Sequence, residues 1–225
     1  MPIEPPPTTW QFPDPMLARG DLVAVGGDLE PGSLLAAYRL GLFPMPDPGA
    51  RRHDRIAWFS PDPRGVLPFD DGFHISRSLA RSRRRYRVGR DQRFRDVVEA
   101  CADPARPSAW ITPDIVDAYE RLFRLGYAHC FETYVDRDGE SALVGGLYGV
   151  RIERFFAGEA MFHTATDASK VALVALVEWL RAEGVVLLDV QWMTPHLESL
   201  GAVAMPRQEY LAALRRAIDG GASTG

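Results

Sequence analysis

Residues 127–162 read "YAHCFETYVDRDGESALVGGLYGVRIERFFAGEAMF". Polar and apolar residues alternate through this stretch, the period of strands with one buried face. Turn-forming residues interrupt it at Asp136–Gly139 and near Arg151–Glu153. The stretch therefore predicts three antiparallel strands joined by tight turns. "ASKVALVALVEWLRAEG" (168–184) then carries helical periodicity, with Asp167 as its expected N-cap. The apolar run "VVLLDVQW" (185–192) is a further strand, followed by a short helix at "PHLESLG" (195–201) and an amphipathic helix at 207–218. The order β-β-β-α-β-α-α makes the C-terminal part α+β, a mainly antiparallel sheet flanked by helices.

Toward the N-terminus the pattern becomes mixed. "DLVAVGGDLEPGSLLAAYRLGLFP" (21–44) predicts a short strand, a Gly-Gly turn and a helix with Pro31 in its first turn and Gly41 at its stop. Residues 46–55 form a polar loop, and "IAWFSPDPRGVLPF" (56–69) a strand that ends in a Pro-punctuated turn. Ser76 is placed to cap a short basic helix, "YRVG" (86–89) to form a short strand, Asp91 to cap a helix over 92–103, and Thr112 to cap one over 113–125. These elements divide the chain into a small N-terminal α/β domain (1–70) and a larger C-terminal domain (71–225), into which a basic helical segment (77–95) leads.

The chain has 225 residues and a net charge of −4, which disfavours indiscriminate nucleic-acid binding. Its charge is uneven, however. Between Arg77 and Arg95 lie nine arginines and a single acid, Asp91. Such a cluster is either a solvated helix face or a contact for a phosphate backbone. Lys170 is the sole lysine. Cys101 and Cys130 read as buried reduced thiols, and the start "MPIEPPPTTWQFPDP" lacks the features of a secretory signal, so a cytoplasmic protein is expected. No apolar run reaches membrane-spanning length.

The strand "LLDVQW" (187–192) places Asp189 and Gln191 two residues apart in an apolar run, hence on one face of the sheet. "FFAGEAMF" (155–162) places Glu159 in another. Ionised groups are rarely buried without partners. Two acids and an amide on adjacent strands therefore point to a polar site at a shared strand edge. Leu173, Leu176 and Leu180 form one stripe of the following helix. Facing Phe156, Met161 and Leu147, that stripe would line an apolar pocket beside the polar cluster. Trp110 and Trp58 are either core plugs or stacking platforms. There is no GxGxxG, Walker or GxSxG motif, and His53, His74, His129, His163 and His196 show no metal-ligand spacing. Neither a nucleotide nor any other cofactor is expected, and any group transferred would arrive already activated.

The strings "LVAVGGDLEPGSLLAAYRLGLFP", "WFSPDPRGVL", "HISRSL", "AWIT", "LVGGLYGV", "GEAMF", "DASK" and "LDVQ…HLESLGA" occur in order across residues 22–202. With them the chain resembles the leucyl/phenylalanyl-tRNA–protein transferases. The resemblance implies an N-acetyltransferase-like C-terminal domain and transfer of Leu, Phe or Met from tRNA to the N-terminal amine of proteins that begin with Arg or Lys, marking them for degradation. It implies that Leu147, Phe156, Met161, Leu173, Leu176 and Leu180 hold the aminoacyl side chain. Trp110 and position 45 would clamp the terminal adenosine, and Arg77, Arg81, Arg83, Arg84 and Arg85 would meet tRNA phosphates. Asp189 would orient the Gln191 carboxamide, whose oxygen accepts from the attacking amine, while Glu159 would hold the acceptor's N-terminus or its cationic side chain. A monomer is expected. Where the family usually has Trp after "FP" this chain has Met45, so Met45 or Trp58 must supply that face of the clamp. "DASK" replaces the family's "NASK", and "GEAMF" its "GESMF". An acyl-CoA N-acetyltransferase would instead open the helix after the third strand with a Gly-containing loop, and "FHTATDASK" has none. A peptidoglycan cross-bridge transferase would add a helical arm, and a non-catalytic RNA-binding module would use the polar cluster structurally.

Overall fold

The computed structural model describes residues 1–50, 55–69, 73, 75–106, 110–137 and 139–220. Part of the expected 46–55 loop, His53, His74 and residues 107–109 of the "PSAWIT" stretch lie outside the described residues, as does the side chain of His196. After a short 3-10 turn at Pro15–Leu17, the N-terminal part holds β1 (Leu22–Val25), α1 (Pro31–Arg39), β2 (Phe43–Pro46) and β3 (Ile56–Phe59). The strands form a three-stranded antiparallel sheet in the order β1-β3-β2. Trp58 is buried in its core, edge-on to Phe12, and its indole donates to the Gly26 carbonyl at 2.8 Å. It is a core plug and cannot stand in for the missing tryptophan.

The remaining elements are β4 (Arg64–Val66), α2 (Arg77–Arg83), β5 (Arg87–Arg90), α3 (Phe94–Cys101), α4 (Pro113–Arg124), β6 (Ala128–Arg137), β7 (Glu140–Ile152), β8 (Phe155–His163), α5 (Ala168–Ala182), β9 (Leu187–Gln191), α6 (Pro195–Ser199), β10 (Val203–Met205) and α7 (Arg207–Asp219). Their strands build a seven-stranded sheet, β10-β4-β9-β8-β7-β6-β5, antiparallel except for the pair β8–β9. A parallel pair needs a crossover, and α5 supplies it. This is the α+β arrangement, a mainly antiparallel sheet flanked by helices, that the element order predicts. Three strands, β2, β4 and β10, are absent from the sequence reading. β10 has only three residues, and β4 occupies what reads as the turn after β3.

Helices cover both faces of the sheet. One face packs on α5 through Phe131, Leu147, Phe156, Leu176 and Leu180. The other packs on α1, α3, α4 and α7 through residues such as Leu34, Val97, Ile115 and Leu214. Gly145 lets α5 approach β7, because a Cβ there would lie 2.6 Å from the Cβ of Ala168. Ser76 and Thr112 cap their helices as expected. The two expected aspartate caps do not. Asp167 sits at φ 63° and makes no cap bond; its carboxylate instead accepts from Ser82 Oγ and faces Lys170. Asp91, at φ 58°, takes the Cys130 amide, while Glu132 reaches across from β6 to accept from the amides of Gln92 and Arg93 ahead of α3.

Candidate active site

The parallel ladder between β8 and β9 has three rungs, Phe155–Leu187, Phe156–Leu188 and Ala157–Asp189. Beyond them β8 continues to His163 while β9 ends at Gln191. The strands part there, and a cavity of about 430 Å³ opens between their ends. Consecutive residues of β7, Leu147 and Tyr148, both line it, although consecutive side chains point to opposite faces. The cavity therefore reaches both faces of the sheet. On the α5 side its wall is aliphatic, formed by Leu147, Met161, Leu173 and Leu176. On the other side it is lined by Met45, Trp110, Trp192 and Arg106.

Glu159 enters this cavity through a β-bulge. Gly149 pairs with Gly158 and Tyr148 with Ala160, which leaves Glu159 as the extra residue. The bulge also reverses the alternation, so Phe156 and Met161, five residues apart, face the same helix. The carboxylate accepts from Tyr38 Oη (2.7 Å), Tyr119 Oη (2.9 Å) and Gln191 Nε2 (3.1 Å). Burial pushes the Glu159 pKa up to about 7, and nearby Asp189 adds to the rise, against the hydrogen bonds of the two tyrosines and the Arg64 charge.

Asp189 occupies different surroundings. It is wholly inaccessible and forms a bidentate pair with Arg64, with Nε–Oδ1 2.8 Å and Nη2–Oδ2 2.6 Å. Tyr210 Oη and the Gln191 amide N–H fill its remaining positions, at 2.8 and 2.9 Å. Arg64 lies between the rings of Phe43 and Tyr210 and donates to the Gly41 carbonyl. Burial opposes the guanidinium charge, but Asp189 and Tyr210 more than offset it and its pKa is raised.

These contacts correct the expected role of Asp189. It does not hold the Gln191 carboxamide. It holds the Gln191 backbone, which sits at φ 59°, a region that non-glycine residues rarely occupy. The carboxamide turns instead to Glu159, leaving its oxygen for the cavity.

Of the expected pocket residues, Leu147, Met161, Leu173 and Leu176 line the cavity, and so do Met45 and Trp110. Phe156 and Leu180 do not; both are fully buried in the core beneath it. In the basic segment Arg77, Arg81, Arg84 and Arg85 are exposed and make no ion pair among the described residues. Arg83 pairs with Glu178 at 2.8 Å, and Arg93 and Arg95 pair with acids of α3 and α4. The sequence reading missed Arg64, Tyr38, Tyr119, Tyr210 and Trp192. The three tyrosines sit within apolar helix stripes, where they read as core. Arg64 alone carried a signal, a charge at the start of the apolar run "RGVLPF". Trp192 packs edge-on between Phe43 and Phe59, and its indole donates to Asp21 at 2.8 Å. Among the described residues no cluster of His, Cys, Asp and Glu is arranged to hold a metal ion, and no helix is long and apolar enough to cross a membrane.

Residues 66–215 match the family model for leucyl/phenylalanyl-tRNA protein transferase, and residues 27–62 match the N-terminal domain of the same family. A leucyl/phenylalanyl-tRNA–protein transferase of Anaeromyxobacter dehalogenans is 51% identical, with 97% of this chain and 93% of its own covered. One from Cereibacter sphaeroides is 51% identical over 87% of this chain and 88% of its own. One from Pseudoalteromonas atlantica is 45% identical over 92% and 88%. With a family match over most of its length and half its residues shared with such relatives, the chain belongs to the leucyl/phenylalanyl-tRNA protein transferase family.

Proposed function

We propose that this aminoacyl-tRNA protein transferase moves a leucyl, phenylalanyl or methionyl group from tRNA to the N-terminal α-amine of proteins beginning with Arg or Lys. The observation that carries this reading is the aliphatic wall of Leu147, Met161, Leu173 and Leu176 meeting Gln191 and Glu159 in one cavity. A Leu, Phe or Met side chain would fill the aliphatic part, and a charged one would lose its hydration there without a partner. The ester carbonyl would then lie at the polar end. Trp110 and Met45, on the opposite wall, would flank the terminal adenosine. The exposed Arg77, Arg81, Arg84 and Arg85 would meet acceptor-stem phosphates, largely without reading sequence.

The chemistry is aminolysis of an ester that is already activated. The Gln191 carboxamide oxygen accepts a hydrogen bond from the attacking amine, and Glu159 attracts the cationic acceptor. Asp189, saturated by four donors, fixes the Gln191 backbone so that this oxygen stays aimed. Holding amine and ester together can supply much of the acceleration, since effective molarities reach about 10⁵ M. A cytoplasmic monomer that labels proteins for degradation completes the reading. The test is transfer of labelled Leu, Phe, Met and Val from charged tRNA to peptides with N-terminal Arg, Lys or Ala. Transfer of the first three to Arg and Lys peptides, lost in folded Gln191→Ala, supports it. Equal transfer of Val, or to Ala peptides, would sink it.

A further inference from the structure

Glu159, Tyr38 and Tyr119 form a triangle of oxygens. Tyr38 Oη lies 2.7 Å from Glu159 Oε1, Tyr119 Oη 2.9 Å from Oε2, and the two hydroxyls 2.5 Å from each other. Three such contacts need three protons. With Glu159 ionised, the tyrosines supply only two. If both donate to the carboxylate, the short Tyr38–Tyr119 contact brings lone pairs together with no proton between them. If that contact is filled, one of the two tyrosine–carboxylate contacts is left without a proton. A third proton on Glu159 completes the ring: Glu159 Oε2–H donates to Tyr119, Tyr119 to Tyr38, and Tyr38 to Glu159 Oε1. Gln191 Nε2 donates to Oε1 in both states.

We propose that this ring is the proton relay of the transfer reaction, taking one proton from the attacking nitrogen and returning it to the leaving ribose oxygen. The inference rests on the reading of the reaction given above. As the amine nitrogen bonds to the ester carbon, its proton passes to the ionised carboxylate and closes the ring. As the carbon–oxygen bond to the ribose breaks, Glu159 gives that proton to the departing oxygen, and the ring is again one proton short. Asp189 cannot serve in this way, because its lone pairs are engaged and it has no access to the cavity.

The groups around Glu159 set its proton affinity. Tyr38 faces it from α1, Tyr119 from α4, Tyr148 from β7, Asp189 and Gln191 from β9, Arg64 from β4 and Tyr210 from α7. Burial and Asp189 raise its pKa, the two tyrosine hydroxyls and Arg64 lower it, and the balance stands at about 7. A group poised there both accepts and releases a proton near neutral pH.

The test is single-turnover transfer from charged tRNA to an Arg-initiated peptide between about pH 5.5 and about 9, for wild type, Tyr38→Phe, Tyr119→Phe and Glu159→Gln. Folding is checked by circular dichroism. The acceptor's own amine titrates identically in all four, so differences belong to the enzyme. Each Phe variant removes a hydroxyl that lowers the Glu159 pKa, and its rising limb is expected to move to higher pH. Glu159→Gln is expected to lose that limb and about 100-fold in rate. Infrared difference spectra of wild type against Glu159→Gln should show a carboxylic-acid carbonyl band at low pH that vanishes across the same limb. Coincident limbs in wild type and both Phe variants, or no such band, would overturn the relay while leaving the transferase reading intact. No transfer by folded wild type would overturn both.

Discussion

The Arg64–Asp189 pair gives the sharpest prediction, because both partners are almost wholly buried, at 1% and 0% exposure. Arg64→Met would leave the Asp189 carboxylate in the interior with two donors, Tyr210 Oη and the Gln191 amide, in place of four. Removing one partner of a buried ion pair costs about 3–5 kcal/mol, since it strands a charge that water cannot reach. For a chain of this size each kcal/mol moves the melting temperature by about 2–4 °C, so a fall of roughly 6–20 °C is expected. The double variant Arg64→Met/Asp189→Leu buries no charge. It should recover most of the loss, leaving about 1–3 kcal/mol for the orphaned Tyr210 hydroxyl and Gln191 amide. The two single losses would then fail to add, with a coupling of at least about 2 kcal/mol. Urea unfolding followed by tryptophan fluorescence measures this, helped by Trp192 beside the site. Transfer should not recover with stability in the double variant, because nothing would hold the Gln191 backbone at φ 59°. A cost below about 1 kcal/mol for Arg64→Met, or transfer restored in the double variant, would refute the assignment of Asp189 as the anchor of Gln191.

Three further outcomes are expected. The folded-state pKa of Glu159, about 7 against an ordinary 4.5, means the native state holds a proton that the unfolded chain has released between those values. Stability from this group is fully present below about 4.5 and lost as pH rises through 7, so wild type should lose up to about 3 kcal/mol relative to Glu159→Gln between pH 5 and 8; a constant difference in urea midpoints across that range would contradict it. Leu173→Phe should narrow the aliphatic wall and lower kcat/KM for Phe-tRNA at least about tenfold more than for Leu-tRNA, the scale of one or two methylenes in a dry pocket. Replacing Arg77, Arg81, Arg84 and Arg85 together by Ala should flatten the dependence of log Kd for tRNA on log salt by about 3, whereas the ion-paired Arg93 and Arg95 should change it little.

Much of the architecture is legible in the sequence because it rests on local rules. Alternation in 127–162 reports three strands whose inner faces are buried, and caps such as Thr112 report helix starts. What the sequence hides is decided by distant partners. β4 is too short to show a period, and it is a strand because Gly65 and Val66 find Gln191 and Asp189 on one side and β10 on the other. Asp167 and Asp91 look like caps because the cap rule is local, but each finds a stronger partner across the fold. The site was visible as chemistry, two acids and an amide in apolar runs. Its wiring was not, because Arg64, Tyr38, Tyr119 and Tyr210 reach it from four elements far away in sequence.

The proposed active site lies where the sheet breaks its own rules. The β8–β9 ladder stops after three rungs, β8 bulges at Glu159, and Gln191 adopts a left-handed backbone. Each departure costs stability, and each has a use: the lost rungs make room for the proposed donor, the bulge turns a carboxylate into that room, and the positive φ turns an amide oxygen toward it. Such a combination persists only if something rigid surrounds it. The Arg64–Asp189 pair ties β4 to β9, Tyr210 ties α7 to the same carboxylate, and Tyr38 and Tyr119 tie α1 and α4 to Glu159. The two acids thereby divide their duties by surroundings alone. Asp189, saturated and closed off, holds geometry, whereas Glu159, short of one proton and open to the cavity, is free to exchange one.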